Sequence, residues 1–193
     1  MSTTDLFVEL IVVGLGAFGA LAMLLLAVLG VDPSLLQQLL AEPAAALPAL
    51  VLIYLLGIVT DRFADRLFNL WWVEHKQQQL YPGGQAQFHL DKTLVLAQSE
   101  RFAQLYEYSR SRQRICRGWA FNGVLLLLTA ELLLFCRFNH LAKLPVLATT
   151  VALLMLVLVF CCWQAWQLMV NTELKRVQEQ ASLLRRQQGE ILL

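Results

Sequence analysis

The sequence predicts an all-α, polytopic membrane protein. Its expected parts are four transmembrane helices, a cytoplasmic helical hairpin between the second and third, and a cytoplasmic C-terminal helix. Long apolar runs occupy residues 6–31, 44–60, 119–138 and 144–170, and a bilayer core about 30 Å thick requires ~20 apolar residues in a helix. The composition agrees, because 58% of the residues are hydrophobic and the mean hydropathy is +0.58. Charged residues make up only 15% of the chain, against roughly a quarter in soluble proteins. We expect one membrane domain over all 193 residues.

The basic residues predict the orientation of this domain. Residues 61–118 contain nine of the fifteen Lys and Arg, and the tail after Val170 contains four more. The loop between the first two runs has none, and the loop between the last two adds only Arg137 and Lys143. The positive-inside rule therefore places residues 61–118, the tail and both termini in the cytoplasm. We expect an integral, multi-pass protein, in the inner (plasma) membrane if the source is bacterial.

The first span, residues 6–31, is expected to be retained, because it lacks a basic n-region and is longer than a typical signal-peptide core. It presents a small-residue face formed by Gly16, Ala20 and Ala27. Such a face lets another helix approach closely. Packing within the bundle is the favoured interpretation, and self-association is the alternative. Gly14, Gly16 and Gly19 spell GxGxxG, but a dinucleotide site requires a preceding strand that a membrane helix does not provide.

A short interfacial helix is predicted over residues 33–41, in the outer loop between the first two spans. Asp32 is a good N-cap and Pro33 a good first helical residue. The second span, residues 44–60, is expected to continue as one helix from Pro48 to Leu80, since no helix breaker interrupts it.

A turn at residues 81–84 is then predicted to reverse the chain. Asp91 is expected to cap a second arm that continues into the third span, 119–138. Residues 61–118 would thus form a hairpin too small and polar to be an independent domain. After the fourth span, 144–170, a tail helix is expected over residues 171–189. Its apolar stripe predicts either packing against the hairpin or a short oligomerising bundle; its members are Leu174, Val177, Ala181 and Leu184.

The most specific pattern is a charged cluster at the cytoplasmic mouth of the bundle. It comprises Asp61, Arg62, Asp65, Arg66, Arg110, Arg112, Arg114 and Arg117. Asp61 and Asp65 are four residues apart and share a helix face. Antiparallel helices would bring these carboxylates to Arg110, Arg114 and Arg117, while Arg112 points elsewhere. Structural ion pairing is favoured. The surplus arginines also suit anionic lipid headgroups, a phosphate-bearing ligand or an anion-attracting vestibule.

Polar residues inside the spans form a second candidate site. Glu131 lies deep in the third run, and an intramembrane ionisable residue suggests function by default. We expect it to face the bundle or an oligomeric axis, as an interhelical hydrogen-bonding group rather than a proton relay. Thr129 is expected to hydrogen-bond within the bundle. Glu9, nearer the cytoplasmic end of the first span, is expected to snorkel to water.

Several kinds of chemistry are not expected. The three histidines lie outside the predicted spans, and the four cysteines lack zinc-site spacing, so no metal or other cofactor is predicted. A net charge of +1 gives no field that would attract nucleic acid.

The expected function is that of a small membrane protein, in contact with lipid, that forms homo-oligomers and acts as a pore, channel-like or membrane effector component. One alternative is a membrane anchor or scaffold that recruits a soluble cytoplasmic partner through the hairpin and tail. A second alternative is a membrane enzyme acting on a phosphate-bearing or lipid substrate.

Overall fold

A computed structural model describes residues 3–30, 34, 41–81, 83–98 and 100–191. Every secondary-structure element in these ranges is helical, which confirms the all-α class. The helices are α1 (Thr3–Leu29), α2 (Pro43–Phe68), a π-helical turn (Asn69–Val73), α3 (Glu74–Leu80), α4 (Gly84–Gln98), α5 (Glu100–Arg137) and α6 (Leu144–Ile191). The predicted interfacial helix at 33–41 lies almost entirely outside the described residues.

Four helical stretches are long and apolar enough to cross a membrane, as the sequence predicted. They cover Thr4–Leu29, Pro43–Gln79, Phe102–Arg137 and Leu144–Arg186. The last belongs to α6, whose 48 residues extend roughly 70 Å at about 1.5 Å per residue. This is more than twice the bilayer core of about 30 Å. The helix α6 is therefore longer than a single membrane crossing requires.

The membrane helices lie in the order α2, α1, α5, α6. The helix α1 packs against α2 and α5, and α5 packs against α6. The most apolar stretch of α6 contains no buried residue, whereas a third of the residues in the most apolar stretch of α1 are buried. The apolar surface of α6 is consequently left for lipid or for another copy of the chain.

The backbones of α1 and α2 touch where two glycines face each other. A Cβ atom placed on Gly57 would lie 2.0 Å from the carbonyl oxygen of Leu10, and one on Gly14 would lie 1.9 Å from that of Ile53. No side chain fits in either space. Small residues permit this kind of close approach between membrane helices, with Cα–H groups against carbonyl oxygens.

The small-residue face of α1 is used inside the chain. Gly16, Ala20 and Ala27 are all buried. A Cβ atom on Gly16 would lie 2.8 Å from the side-chain nitrogen of Asn122 on α5. This part of α1 therefore packs within the single chain, and nothing about it requires a second copy.

The helices α3, α4 and the C-terminal half of α6 form one packed helical body. Tyr81 is 1% exposed, donates its hydroxyl hydrogen bond to the carbonyl oxygen of Leu174 at 3.2 Å, and packs edge-on against Phe88. The tail stripe contributes Leu174, Val177 and Ala181 to the buried residues. Of the two interpretations of the stripe, the structure therefore shows packing against the segment 61–118.

The details of the segment 61–118 differ from those predicted. Asp91 does not cap a helix: it lies inside α4, which begins at Gly84 with a φ of +63°. Asp91 is 3% exposed and forms an ion pair with Arg185 of α6. The carboxylate of Asp91 thus pairs with a residue distant in sequence instead of capping the helix, as the local sequence predicted.

Candidate functional site

Three membrane helices meet in a network of five charged side chains. Arg117 donates from Nη2 to Oδ1 of Asp61 at 2.8 Å and from Nη1 to Asp65. Arg114 Nη1 lies 2.9 Å from Oε2 of Glu9, and Arg114 Nε lies 3.5 Å from Oδ2 of Asp61. We call Glu9, Asp61, Asp65, Arg114 and Arg117 the ion-pair network, and the side of the bundle that contains it the charged end. The network links α1, α2 and α5.

Most of this network is shielded from solvent. The side chains of Glu9, Asp61, Arg117 and Arg114 are 6%, 11%, 13% and 15% exposed, whereas that of Asp65 is 39% exposed. Low local polarity strengthens the attraction between paired charges and raises the cost of leaving one unpaired. Glu9, Asp61, Arg114 and Arg117 are therefore the energetically significant members, and Asp65 contributes as a rim residue.

Glu9 is the member that sequence reasoning missed. It was expected to reach water from the end of the first span, but it is buried against Arg114. The reason is the packing of α1 on α5, which places Glu9 beside a guanidinium 105 residues away in the chain. Its second oxygen, Oε1, is buried without a hydrogen-bond partner among the described residues.

The other four residues of the predicted charged cluster are exposed. Arg62 and Arg110 line a cavity beside the network. Arg112 lies with its guanidinium carbon 4.3 Å from the ring centre of Tyr108, in a cation–π contact. Arg66 is exposed and lines neither of the two larger cavities at this end.

The cavity beside the network has a volume of about 420 Å³ and mostly polar walls. Four network residues border it, and the remaining charged groups on its walls are Arg62, Glu74, Lys92, Arg110 and Glu173. Burial raises the pKa of Glu173, while a hydrogen bond from Gln113 acts in the opposite direction. Glu173 lies past the apolar run of α6 that ends at Val170. We call this space the polar cavity.

A second cavity of about 390 Å³ lies between α4, α5 and α6. Its walls are mainly apolar, and Lys92, Tyr106 and Glu173 form the partition between it and the polar cavity. We call it the α4–α6 groove.

Inside the spans, Glu131 is partly buried on α5, and its Oε1 has no hydrogen-bond partner among the described residues. Thr129 donates within its own helix, to the carbonyl oxygen of Leu125 at 2.9 Å. Sequence reasoning missed Asn122, which is 0% exposed and donates from Nδ2 to the carbonyl oxygen of Val13 at 2.7 Å. Its position as an amide in the apolar run 119–138 was the available signal.

Among the residues that the structure describes, no group of three or more His, Cys, Asp and Glu side chains could hold a metal ion. No protein-family model, curated protein or solved structure matches this chain. The features that bear on function are therefore the ion-pair network, the two cavities and the intramembrane polar residues.

Proposed function

We propose that the protein is a membrane effector that self-associates in the bilayer and permeabilises it, with the ion-pair network controlling the packing of the spans. The observation that carries this proposal is that the network joins α1, α2 and α5 and also borders the polar cavity. A change of charge or a bound ion in that cavity would compete directly for Arg114 and Arg117. Such competition would alter contacts between three spans at once, which is the property expected of a gating element.

The proposed orientation places the charged end in the cytoplasm. Thirteen of the fifteen basic residues lie in residues 61–118 or after Val170, and basic residues near spans favour the cytoplasmic side. Both termini would then be cytoplasmic.

Self-association is supported by surfaces that the single chain leaves open. The apolar stretch of α6 has no buried residue. Glu131 has an oxygen without a hydrogen-bond partner among the described residues. Intramembrane carboxyl groups usually face a protein interior or a water-filled space, because lipid exposure is costly. A neighbouring copy packed near Glu131 would supply such an environment.

The native mass of the detergent-solubilised protein tests this proposal, together with ion flux into proteoliposomes. We expect an oligomer for the wild type, a smaller species and altered flux for Glu131→Leu, and a milder change for Glu131→Gln, which keeps hydrogen-bonding capacity. A wild-type monomer would contradict the proposal. So would a Glu131→Leu variant that is more stable than the wild type and has the same mass and flux.

An anchor or scaffold is the second candidate function. It is favoured by the packed body of α3, α4 and the end of α6, which includes the Tyr81 hydrogen bond and the Asp91–Arg185 pair beyond the spans. Such a body presents a surface to soluble proteins. Recovery of one stoichiometric soluble partner with the protein from native membranes, combined with an absence of ion flux, would favour this function over permeabilisation.

A further inference from the structure

The α4–α6 groove begins beside the end of the apolar run of α6 and continues along the turns that follow it. Leu168 and Met169 border one end, at the last apolar turn before Val170. Val177 lies nine residues after Leu168, which corresponds to roughly 13 Å along α6 at about 1.5 Å per residue. The headgroup layer of a bilayer adds roughly 5–7 Å on each side of the hydrocarbon core. With the hydrocarbon core ending at the close of the apolar run, at Val170, the groove would cross the depth at which lipid headgroups lie.

The walls of the groove suit an alkyl chain. Apolar side chains from all three helices line it: Val95, Leu96, Phe102, Leu105, Leu168, Met169 and Val177. Its volume of about 390 Å³ falls within the range of about 300–1,000 Å³ that is typical of small-molecule sites. Leu105 and Leu168 remain 49% and 65% exposed, so a bound chain would cover apolar surface that the protein itself leaves open.

The rim of the groove is basic. Lys92, Arg112 and Arg176 line it, against a single carboxylate, Glu173. That carboxylate already accepts a hydrogen bond from Gln113 at 2.5 Å. Within the described part of the chain, Arg112 and Arg176 make no ion pair with any acidic side chain. Arg112 contacts the Tyr108 ring, a cation–π contact that leaves its charge in place. The edge of the apolar groove thus carries two guanidinium groups that no carboxylate among the described residues neutralises.

We propose that the α4–α6 groove binds an alkyl chain of an anionic membrane lipid, with the anionic headgroup against Arg112 and Arg176. A zwitterionic lipid carries its own cation and would not neutralise the positive charge of the two guanidinium groups. A soluble phosphate compound would leave the apolar walls in water. Basic sites beside membrane helices recognise anionic headgroups in this way. The site is separate from the ion-pair network and goes beyond the proposed function, because lipid binding requires neither flux nor self-association.

Lipid retention by the purified protein in neutral detergent tests the proposal. Native mass spectrometry would compare phosphatidylglycerol with phosphatidylcholine of the same chain length. We expect preferential retention of phosphatidylglycerol. Each of Arg112→Gln and Arg176→Gln should weaken it about fivefold, the effect of one cation near an anionic headgroup. Arg186→Gln, which removes an exposed cation outside the groove, is the matched control and should retain wild-type binding.

A variant that fills the groove tests the contribution of the lipid alkyl chain separately from that of the headgroup. Ser109 lines the groove, and Ser109→Trp should reduce phosphatidylglycerol retention while circular dichroism and elution remain those of a folded protein. Equal retention of the two lipids, or no loss in the double Arg112→Gln, Arg176→Gln variant, would overturn the proposal. Glycerol phosphate binding as tightly as phosphatidylglycerol would instead indicate a soluble ligand. Loss of oligomer mass in Ser109→Trp with unchanged lipid retention would indicate an interface between copies, and would overturn it too.

Discussion

Replacing Asp61 by Asn should destabilise the protein far more than replacing Asp65. Asp61 forms ion pairs with both Arg114 and Arg117, and its side chain is 11% exposed. Removing one partner of a buried pair costs about 3–5 kcal/mol. We expect the lower end, roughly 3 kcal/mol, because each arginine keeps a second carboxylate. Asp65 is 39% exposed, so Asp65→Asn should cost at most about 1 kcal/mol, as exposed pairs do.

Thermal unfolding in detergent, followed by helical circular dichroism, measures this difference. For a chain of this size, 1 kcal/mol shifts the Tm by about 2–4 °C. Asp61→Asn should therefore lower the Tm by roughly 6–12 °C, and Asp65→Asn by about 4 °C or less. The two variants remove the same charge on the same helix, so each controls for the general effect of neutralising an aspartate. Equal shifts, or no shift for Asp61→Asn, would refute the claim that burial makes Asp61 the central carboxylate.

Three further predictions use the same unfolding assay. Gly57→Ala should lower the Tm, because its Cβ would lie 2.0 Å from a carbonyl oxygen of α1. Gly19→Ala should be tolerated, because its Cβ would lie 3.5 Å from the nearest atom. A larger loss of Tm in Gly19→Ala than in Gly57→Ala would contradict the backbone contact. Tyr81→Phe should cost about 1 kcal/mol through its lost hydrogen bond, so an unchanged Tm would mean that this bond does not stabilise the fold. Burial raises the pKa of Glu173 above its ordinary value of 4.5, so the folded state holds this proton more tightly than the unfolded state does. Stability should therefore fall as pH rises from about 4.5 to the raised pKa, and Glu173→Gln should reduce that dependence.

The four spans were predictable because a membrane helix is defined by length and hydropathy, which a single sequence displays directly. The meeting of Asp61 with Arg117 was predictable for a similar reason. Both residues lie where an apolar run ends, so antiparallel helices bring them to the same depth. The exposed positions of Arg62 and Arg66 follow from the same helical periodicity, since they do not share the face of Asp61 and Asp65.

Other pairings between distant helices were not predictable. The roles of Glu9, Gly57 and Asn122 depend on which helix lies beside α1 and at what register, and neither is encoded in local periodicity. Asp91 shows the same effect in reverse. Its local context resembles a helix cap, but the approach of Arg185 on α6 determines its environment. Local propensity and hydropathy allowed several environments for these residues, and long-range packing determined which one each residue has.

The most direct test of the central claim is ion flux into proteoliposomes that contain equal amounts of wild-type protein or of Glu9→Gln. This substitution keeps the shape of the side chain but removes the charge that joins α1 to Arg114 of α5. We expect wild-type flux above that of protein-free vesicles, a several-fold change in Glu9→Gln, and wild-type flux in the exposed control Arg186→Gln. Flux at the level of protein-free vesicles for every variant would contradict permeabilisation, and identical flux for wild type and Glu9→Gln would contradict control by the ion-pair network.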